Sequence, residues 1–75
     1  MKEDYTTDDF LADIAENLAD EAKAIKGYYK LIENCPDKYE TMIPYITEII
    51  ADEKNHMMVL QKMMLTIDDI KPKKD

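Results

Sequence analysis

The stretch IIADEKNHMMVL, residues 49–60, combines a helical apolar pattern with ionisable side chains in its middle. Its isoleucines, methionines and leucine recur at steps of three and four residues, which predicts an amphipathic helix. Asp52, Glu53 and His56 interrupt this pattern. An unpaired ionised side chain in an apolar interior costs several kcal/mol, so we expect the segment to do more than pack.

The chain of 75 residues is predicted to form a single domain over residues 1–75. A chain this short buries little apolar surface, so we expect oligomerisation or a bound metal to stabilise it. With 17 acidic and 10 basic residues the net charge is −7, which argues against nucleic-acid binding. Cys35 is the only cysteine, which excludes an internal disulfide and a metal site built from cysteine pairs.

No run of apolar residues approaches the roughly 18 that a membrane-spanning helix needs. The first ten residues, MKEDYTTDDF, also lack the apolar core of a secretion signal. We therefore predict a cytoplasmic protein without membrane contact.

Two helices are predicted, at about residues 8–33 and 38–66, joined by the turn NCPDKYE at 34–40. Thr7 or Asp8 can cap the first helix, and Asn34 suits its end. Pro44 lies in the first turn if the second helix begins near residue 42, and it forces a kink if the helix begins near 38. The polar residues after 67 are predicted to form a frayed tail.

Each helix carries a stripe at steps of three and four residues. The first comprises Leu11, Ile14, Leu18, Glu21, Ile25, Tyr28 and Ile32, and the second comprises Met42, Ile46, Ile49, Glu53, His56, Leu60, Met63 and Ile67. Two such stripes predict an all-α, antiparallel helical hairpin. A second copy is the simplest cover for the exposed stripes, so we expect dimerisation into a four-helix bundle.

The polar members of the stripes, Glu21, Glu53 and His56, lie at similar distances from the turn and should share one layer. Glu53 and His56 form an E-x-x-H element, whose side chains point from the same helix face. Carboxylate and imidazole groups are metal ligands, so this layer is the candidate metal site. The alternative is a polar layer that only fixes how the helices pair.

Residues 20–28, DEAKAIKGY, and 51–56, ADEKNH, resemble the two metal-binding helices of the ferritin-like di-iron carboxylate proteins, especially the rubrerythrin type. The two-helix length is similar to that of the encapsulated ferritins, which complete their site across a dimer interface. The resemblance covers about residues 10–65.

This resemblance implies two irons per dimer, with manganese as the alternative metal. Glu21 and His56 would be terminal ligands and Glu53 a bridging one, and these three would form the catalytic site. Tyr28 would hydrogen-bond a ligating carboxylate, and Asp52 would orient His56. The implied activity is Fe(II) oxidation with O2 or peroxide, although peroxide reduction remains open.

The resemblance also implies a homodimer or a multiple of dimers. It suggests a further partner, a shell protein that encloses the chain. A C-terminal docking peptide in LTIDDIK, residues 65–71, is the less favoured reading beside a frayed helix end. The alternative to an iron-binding function is a non-catalytic helical dimerisation module with a polar layer.

Overall fold

The computed structural model describes residues 4–70, which form two α-helices and a short 3-10 segment. Helix α1 spans Thr7–Glu33, the 3-10 segment spans Asp37–Met42, and helix α2 spans Ile43–Ile70. Residues 4–70 contain no β-strand, so the predicted all-α class is confirmed. Neither of these two helices has a stretch long and apolar enough to cross a membrane.

The helices pack against each other in opposite directions. Phe10, near the start of α1, lines a groove with Met63, near the end of α2. Leu31, near the end of α1, lines another groove with Met42, just before α2 begins. The described chain is therefore an antiparallel hairpin, as the two stripes predict.

A capping box fixes the start of α1. The Thr6 hydroxyl accepts a hydrogen bond from the Asp9 amide at 3.1 Å, and the Asp9 carboxylate accepts one from the Thr6 amide at 3.0 Å. These two bonds satisfy amide groups that have no partner within the helix. The cap is Thr6, one residue before the Thr7 or Asp8 that the sequence suggested, because the Asp9 carboxylate can reach back only to the residue three positions before it.

The turn follows from Asn34 and Pro36. Asn34 ends α1, and both its backbone amide and its side-chain amide donate to the Lys30 carbonyl, at 3.1 and 2.8 Å. Pro36 is extended, with φ −62° and ψ 145°, and the 3-10 segment begins directly after it. These contacts satisfy an end carbonyl of α1 and turn the chain toward α2.

Pro44 is the second residue of α2, where its missing amide hydrogen removes no helical hydrogen bond. The structure therefore selects the first of the two alternatives for Pro44. Helix α2 continues to Ile70, beyond the predicted end near residue 66. The remainder of the predicted frayed tail, residues 71–75, lies outside the described part of the chain.

The stripe predicted on α1 faces α2. Its apolar members are buried or half-buried, and Ile14 and Ile25 are the most deeply buried residues of α1. Glu21 sits between these two isoleucines along the stripe and is half-buried. The 3-4 spacing therefore predicted the inner side of this helix correctly.

The inner side of α2 is rotated from the predicted one. Its buried and half-buried members are Ile43, Ile46, Ile50, Glu53, Met57, Leu60, Met64 and Ile67. Ile49, His56 and Met63 were predicted to lie inside, but they lie exposed on an adjacent side. Met42, predicted as the first member of the same stripe, is also exposed. Apolar residues occupy both sides of α2, so two overlapping stripes fit the same spacing and only the packing against α1 chooses between them.

The hairpin leaves one broad apolar face open, which we call the site face. It consists of eight residues that line three grooves: Phe10, Leu31, Met42, Tyr45, Ile49, His56, Val59 and Met63. All eight are exposed. By contrast, only Ile14, Ile25 and Ile50 are buried apolar residues among residues 4–70. The described chain thus exposes more large apolar side chains than it buries.

Candidate metal centre

The two helices bring Glu21, Glu53 and His56 together, as the sequence predicts. One ligand atom from each residue lies within 4.8 Å of the others. The His56 Nδ1 atom is 3.5 Å from Oε1 of Glu53 and 3.7 Å from Oε2 of Glu21. Glu53 and His56 lie one turn apart on α2, so the helix itself sets their separation, whereas Glu21 depends on the packing of α1 against α2.

The Oε2 atom of Glu21 is buried and has no hydrogen-bond partner among the described residues. Its distance of 3.7 Å from His56 Nδ1 exceeds hydrogen-bonding range, so that contact is electrostatic only. A buried carboxylate oxygen without a donor is costly. A cation held between the three side chains would satisfy it.

The cluster is reachable from the site face. The side chains of Glu21 and Glu53 are 26% and 19% exposed, whereas that of His56 is 56% exposed. A groove of about 300 Å³ opens beside Glu21 and His56. The polar layer is therefore half-buried rather than enclosed, which differs from the interior position that the predicted stripes implied, because His56 lies on the flank of α2.

The two carboxyl groups affect each other's protonation. Glu21, as a hydrogen-bonding neighbour, raises the pKa of Glu53 above its ordinary value of 4.5. Desolvation and the negative charge of Glu21 also raise this pKa, while the charge of His56 opposes them. No lysine forms an ion pair with either carboxylate within residues 4–70. The cluster is thus an acidic site that lacks a strong cation of its own.

Tyr28 and Asp52 are less directly involved in this hairpin. Tyr28 is half-buried on α1, two turns after Glu21, and its hydroxyl makes no hydrogen bond within residues 4–70. Asp52 is exposed, and its charge also raises the pKa of Glu53. Asp52 does not come within ion-pair distance of His56 in the described chain. The roles assigned to both residues from the resemblance remain predictions.

Asn17 is a neighbour of the cluster that sequence reasoning did not single out. It lines the same small groove as Glu21 and His56, and its side-chain amide donates to the Asp13 carbonyl at 2.8 Å. Its position one turn before Glu21 was the available signal. Asn17 and Glu21 thus supply the α1 side of this groove.

The donor set fits a divalent transition metal. Two carboxylates and one imidazole suit iron or manganese, and their i,i+3 and cross-helix contacts already bring the ligand atoms close together. One hairpin supplies three ligating side chains, fewer than the six positions of octahedral coordination. Further ligands must come from water or from a second chain.

A scan against protein-family models returned no match for this chain. Searches of the curated proteins and of the solved structures also returned none.

Proposed function

We propose that this protein is a ferritin-like iron-binding protein that dimerises through the site face and oxidises Fe(II) with O2 or peroxide. The observation that carries the proposal is the meeting of Glu21, Glu53 and His56 around the buried, unpartnered Oε2 atom of Glu21. In a dimer, two such clusters would face each other and hold two metals between the chains. Manganese is the alternative metal for the same ligands.

Each ligand has a role that follows from its position. Glu21 supplies the carboxylate of α1, and His56 supplies the nitrogen through Nδ1, the ring atom that already faces both carboxylates. Glu53 lies one turn from His56 on α2, and it would be the bridging carboxylate that the resemblance implies. Negatively charged oxygen ligands favour the higher charge of Fe(III) over Fe(II), and bound iron would supply the one-electron chemistry for reducing O2 or peroxide.

Proton balance at the site involves Glu53. Because Glu21 raises the pKa of Glu53, a metal would compete with a proton for this carboxylate at higher pH than it would at an ordinary glutamate. A ligating carboxylate must be deprotonated, so metal binding would release this proton. Tyr28 would then hydrogen-bond a ligating carboxylate, and Asp52 would orient the imidazole of His56, as outer partners do in metal sites.

The proposal extends to assembly and location. Dimers could associate further, and a protein shell could enclose them. We place the protein in the cytoplasm or in such a compartment.

Fe(II) oxidation by the purified protein tests this function. Anaerobic protein is loaded with Fe(II) and mixed with oxygenated buffer, and ferric absorbance is followed with time. We expect fast oxidation by the wild type and by Glu48→Ala, which removes an exposed carboxylate from α2. We expect His56→Ala to oxidise Fe(II) little faster than buffer. Equal rates for His56→Ala and the wild type would refute the ferroxidase assignment.

The second candidate is a non-catalytic helical dimerisation module. The broad apolar site face favours this reading, because a protein–protein contact alone would explain it. Glu21, Glu53 and His56 would then form a polar layer that sets how two chains pair. A folded dimer that contains no metal and is indifferent to chelator would support this function over the first.

A further inference from the structure

The site face has unlike ends. At the turn, an apolar groove of about 650 Å³ opens between the helices, and we call it the turn-end groove. Its walls include Leu31, Cys35, Tyr39, Met42, Tyr45 and Ile49. At the other end, the ring of Phe10 is 43% exposed beside Val59 and Met63. One end of the face is therefore hollow and the other carries an exposed aromatic side chain.

These two ends lie at matching distances from the Glu21 and His56 level. Phe10 precedes Glu21 by eleven residues, and Leu31 follows it by ten, which correspond to about 16 and 15 Å along the helix. Ile49 and Met63 lie seven residues on either side of His56, or about 10 Å each way. A two-fold axis that crosses the helices at this level would thus place each end of the face over the opposite end of a second copy.

We propose that the turn-end groove is filled by Phe10 of a second copy, in a dimer whose two-fold axis crosses the helices at the Glu21 level. This inference rests on the dimer of the proposed function and specifies its orientation. It makes the contact isologous, since each chain both donates Phe10 and accepts it. It also brings the two Glu21, Glu53 and His56 clusters face to face at the axis.

The other two-fold arrangement, with the axis along the helices, fits the face less well. It would place the two turn-end grooves over each other, so that two hollows of about 650 Å³ would meet. Protein interiors and specific interfaces are close-packed, so a void of this size is unfavourable. The crossing axis instead sets an exposed aromatic ring against each hollow.

Cys35 is a built-in reporter of this orientation, because it is the only cysteine and lines the turn-end groove. In Phe10→Cys, the two thiols of one chain lie about 37 Å apart along α1, so a short cross-linker can join position 10 to Cys35 only between chains. Trypsin separates the two positions at Lys23, Lys26 and Lys30. The joined peptides are then identified by mass spectrometry. Ala12→Cys, two residues on and exposed, is the matched control.

We expect Phe10→Cys to give a covalent dimer with position 10 joined to Cys35, and Ala12→Cys to give none with position 12. Cys35 joined to Cys35 in the wild type would overturn the proposal, because that link requires the axis along the helices. A dimer with iron bound but without the link from position 10 to Cys35 would overturn this orientation and leave the proposed function intact. A monomer without metal would instead refute the proposed function itself.

A second variant tests the groove without cross-linking. Phe10→Ala should raise the dimer dissociation constant at least tenfold, since both copies lose the ring that fills the groove. Leu65→Ala removes an exposed apolar side chain that lines none of the site-face grooves, so it should leave the constant within about twofold. Equal dissociation constants for Phe10→Ala and the wild type, by sedimentation, would contradict the proposal.

Discussion

The Oε2 atom of Glu21 and the Nδ1 atom of His56 lie 3.7 Å apart although the two residues belong to different helices. This contact places the only α1 ligand of the candidate site against the only imidazole in the chain. That Oε2 atom is buried and has no hydrogen-bond partner within residues 4–70, so a bound cation would offset the cost of its burial.

Glu21→Ala should weaken metal binding by about a hundredfold or more, because even outer partners of ligands typically contribute about 10- to 100-fold. Glu16→Ala removes an exposed carboxylate from the same helix and should change affinity little. Isothermal titration with Mn(II), a redox-stable stand-in for Fe(II), measures both. Equal affinities in the two variants would remove Glu21 from the ligand set.

His56→Ala and Tyr28→Phe should differ in their effect on iron binding. His56→Ala removes a nitrogen ligand, so both bound iron and the rate of Fe(II) oxidation should fall. Tyr28→Phe removes only a hydroxyl group, so iron should remain bound while the rate falls by about 10- to 100-fold. Iron counting and oxidation kinetics on both variants check this. Unchanged iron content together with an unchanged oxidation rate in Tyr28→Phe would contradict the role assigned to its hydroxyl.

The metal-free protein should become more stable on mild acidification. The pKa of Glu53 is raised in the folded state, so protonated Glu53 favours folding below its ordinary value of 4.5, and this contribution is lost as pH rises through the folded pKa. Asp9 acts in the opposite sense, because its hydrogen bonds with Thr6 lower its pKa. Glu53→Gln retains Asp9, so the difference in unfolding free energy between this variant and the wild type does not contain the Asp9 contribution.

The measurement is urea unfolding of metal-free protein from about pH 7 to about pH 4, an interval that includes the ordinary value of 4.5. The wild type should gain stability relative to Glu53→Gln over this interval. Parallel pH profiles of the two proteins would show that Glu53 titrates as an ordinary exposed carboxyl group.

Thr6→Ala should lower the free energy of unfolding by about 1 kcal/mol, because it removes one bond of the capping box. The midpoint of thermal unfolding should fall by roughly 4–8 °C for a chain of this size. Thr7→Ala is the matched control, since the Thr7 side chain forms no cap, and it should have a smaller effect. A larger loss from Thr7→Ala would place the cap where the sequence first suggested it.

The sequence predicts the hairpin well because its signals are local. The stripe on α1, the stop at Asn34 and the E-x-x-H spacing each depend on residues within a few turns of one another. The rotation of α2 could not be predicted, because the helix has apolar residues at adjacent positions. Ile49 is followed by Ile50, and Met63 is followed by Met64. Which of each pair faces α1 depends on packing between helices.

The same limit applies to the site. The sequence predicts that Glu21, Glu53 and His56 meet, because distance from the turn sets their level. It does not predict that His56 would lie on the exposed flank, since this follows from the rotation of α2. Nor does it indicate the unpartnered Oε2 atom of Glu21, which depends on where each side chain of α2 points.

The most direct test of the central claim is the iron content of the assembled protein. Wild type, Glu53→Ala and Glu48→Ala are reconstituted with Fe(II), freed of excess metal and analysed for iron per chain, with the mass of the assembly measured in parallel. We predict dimers with about one iron per chain for the wild type and Glu48→Ala, as two ligand sets sharing two metals require. Glu53→Ala should bind almost none. Full iron content in Glu53→Ala, or a metal-free wild-type dimer, would contradict the account.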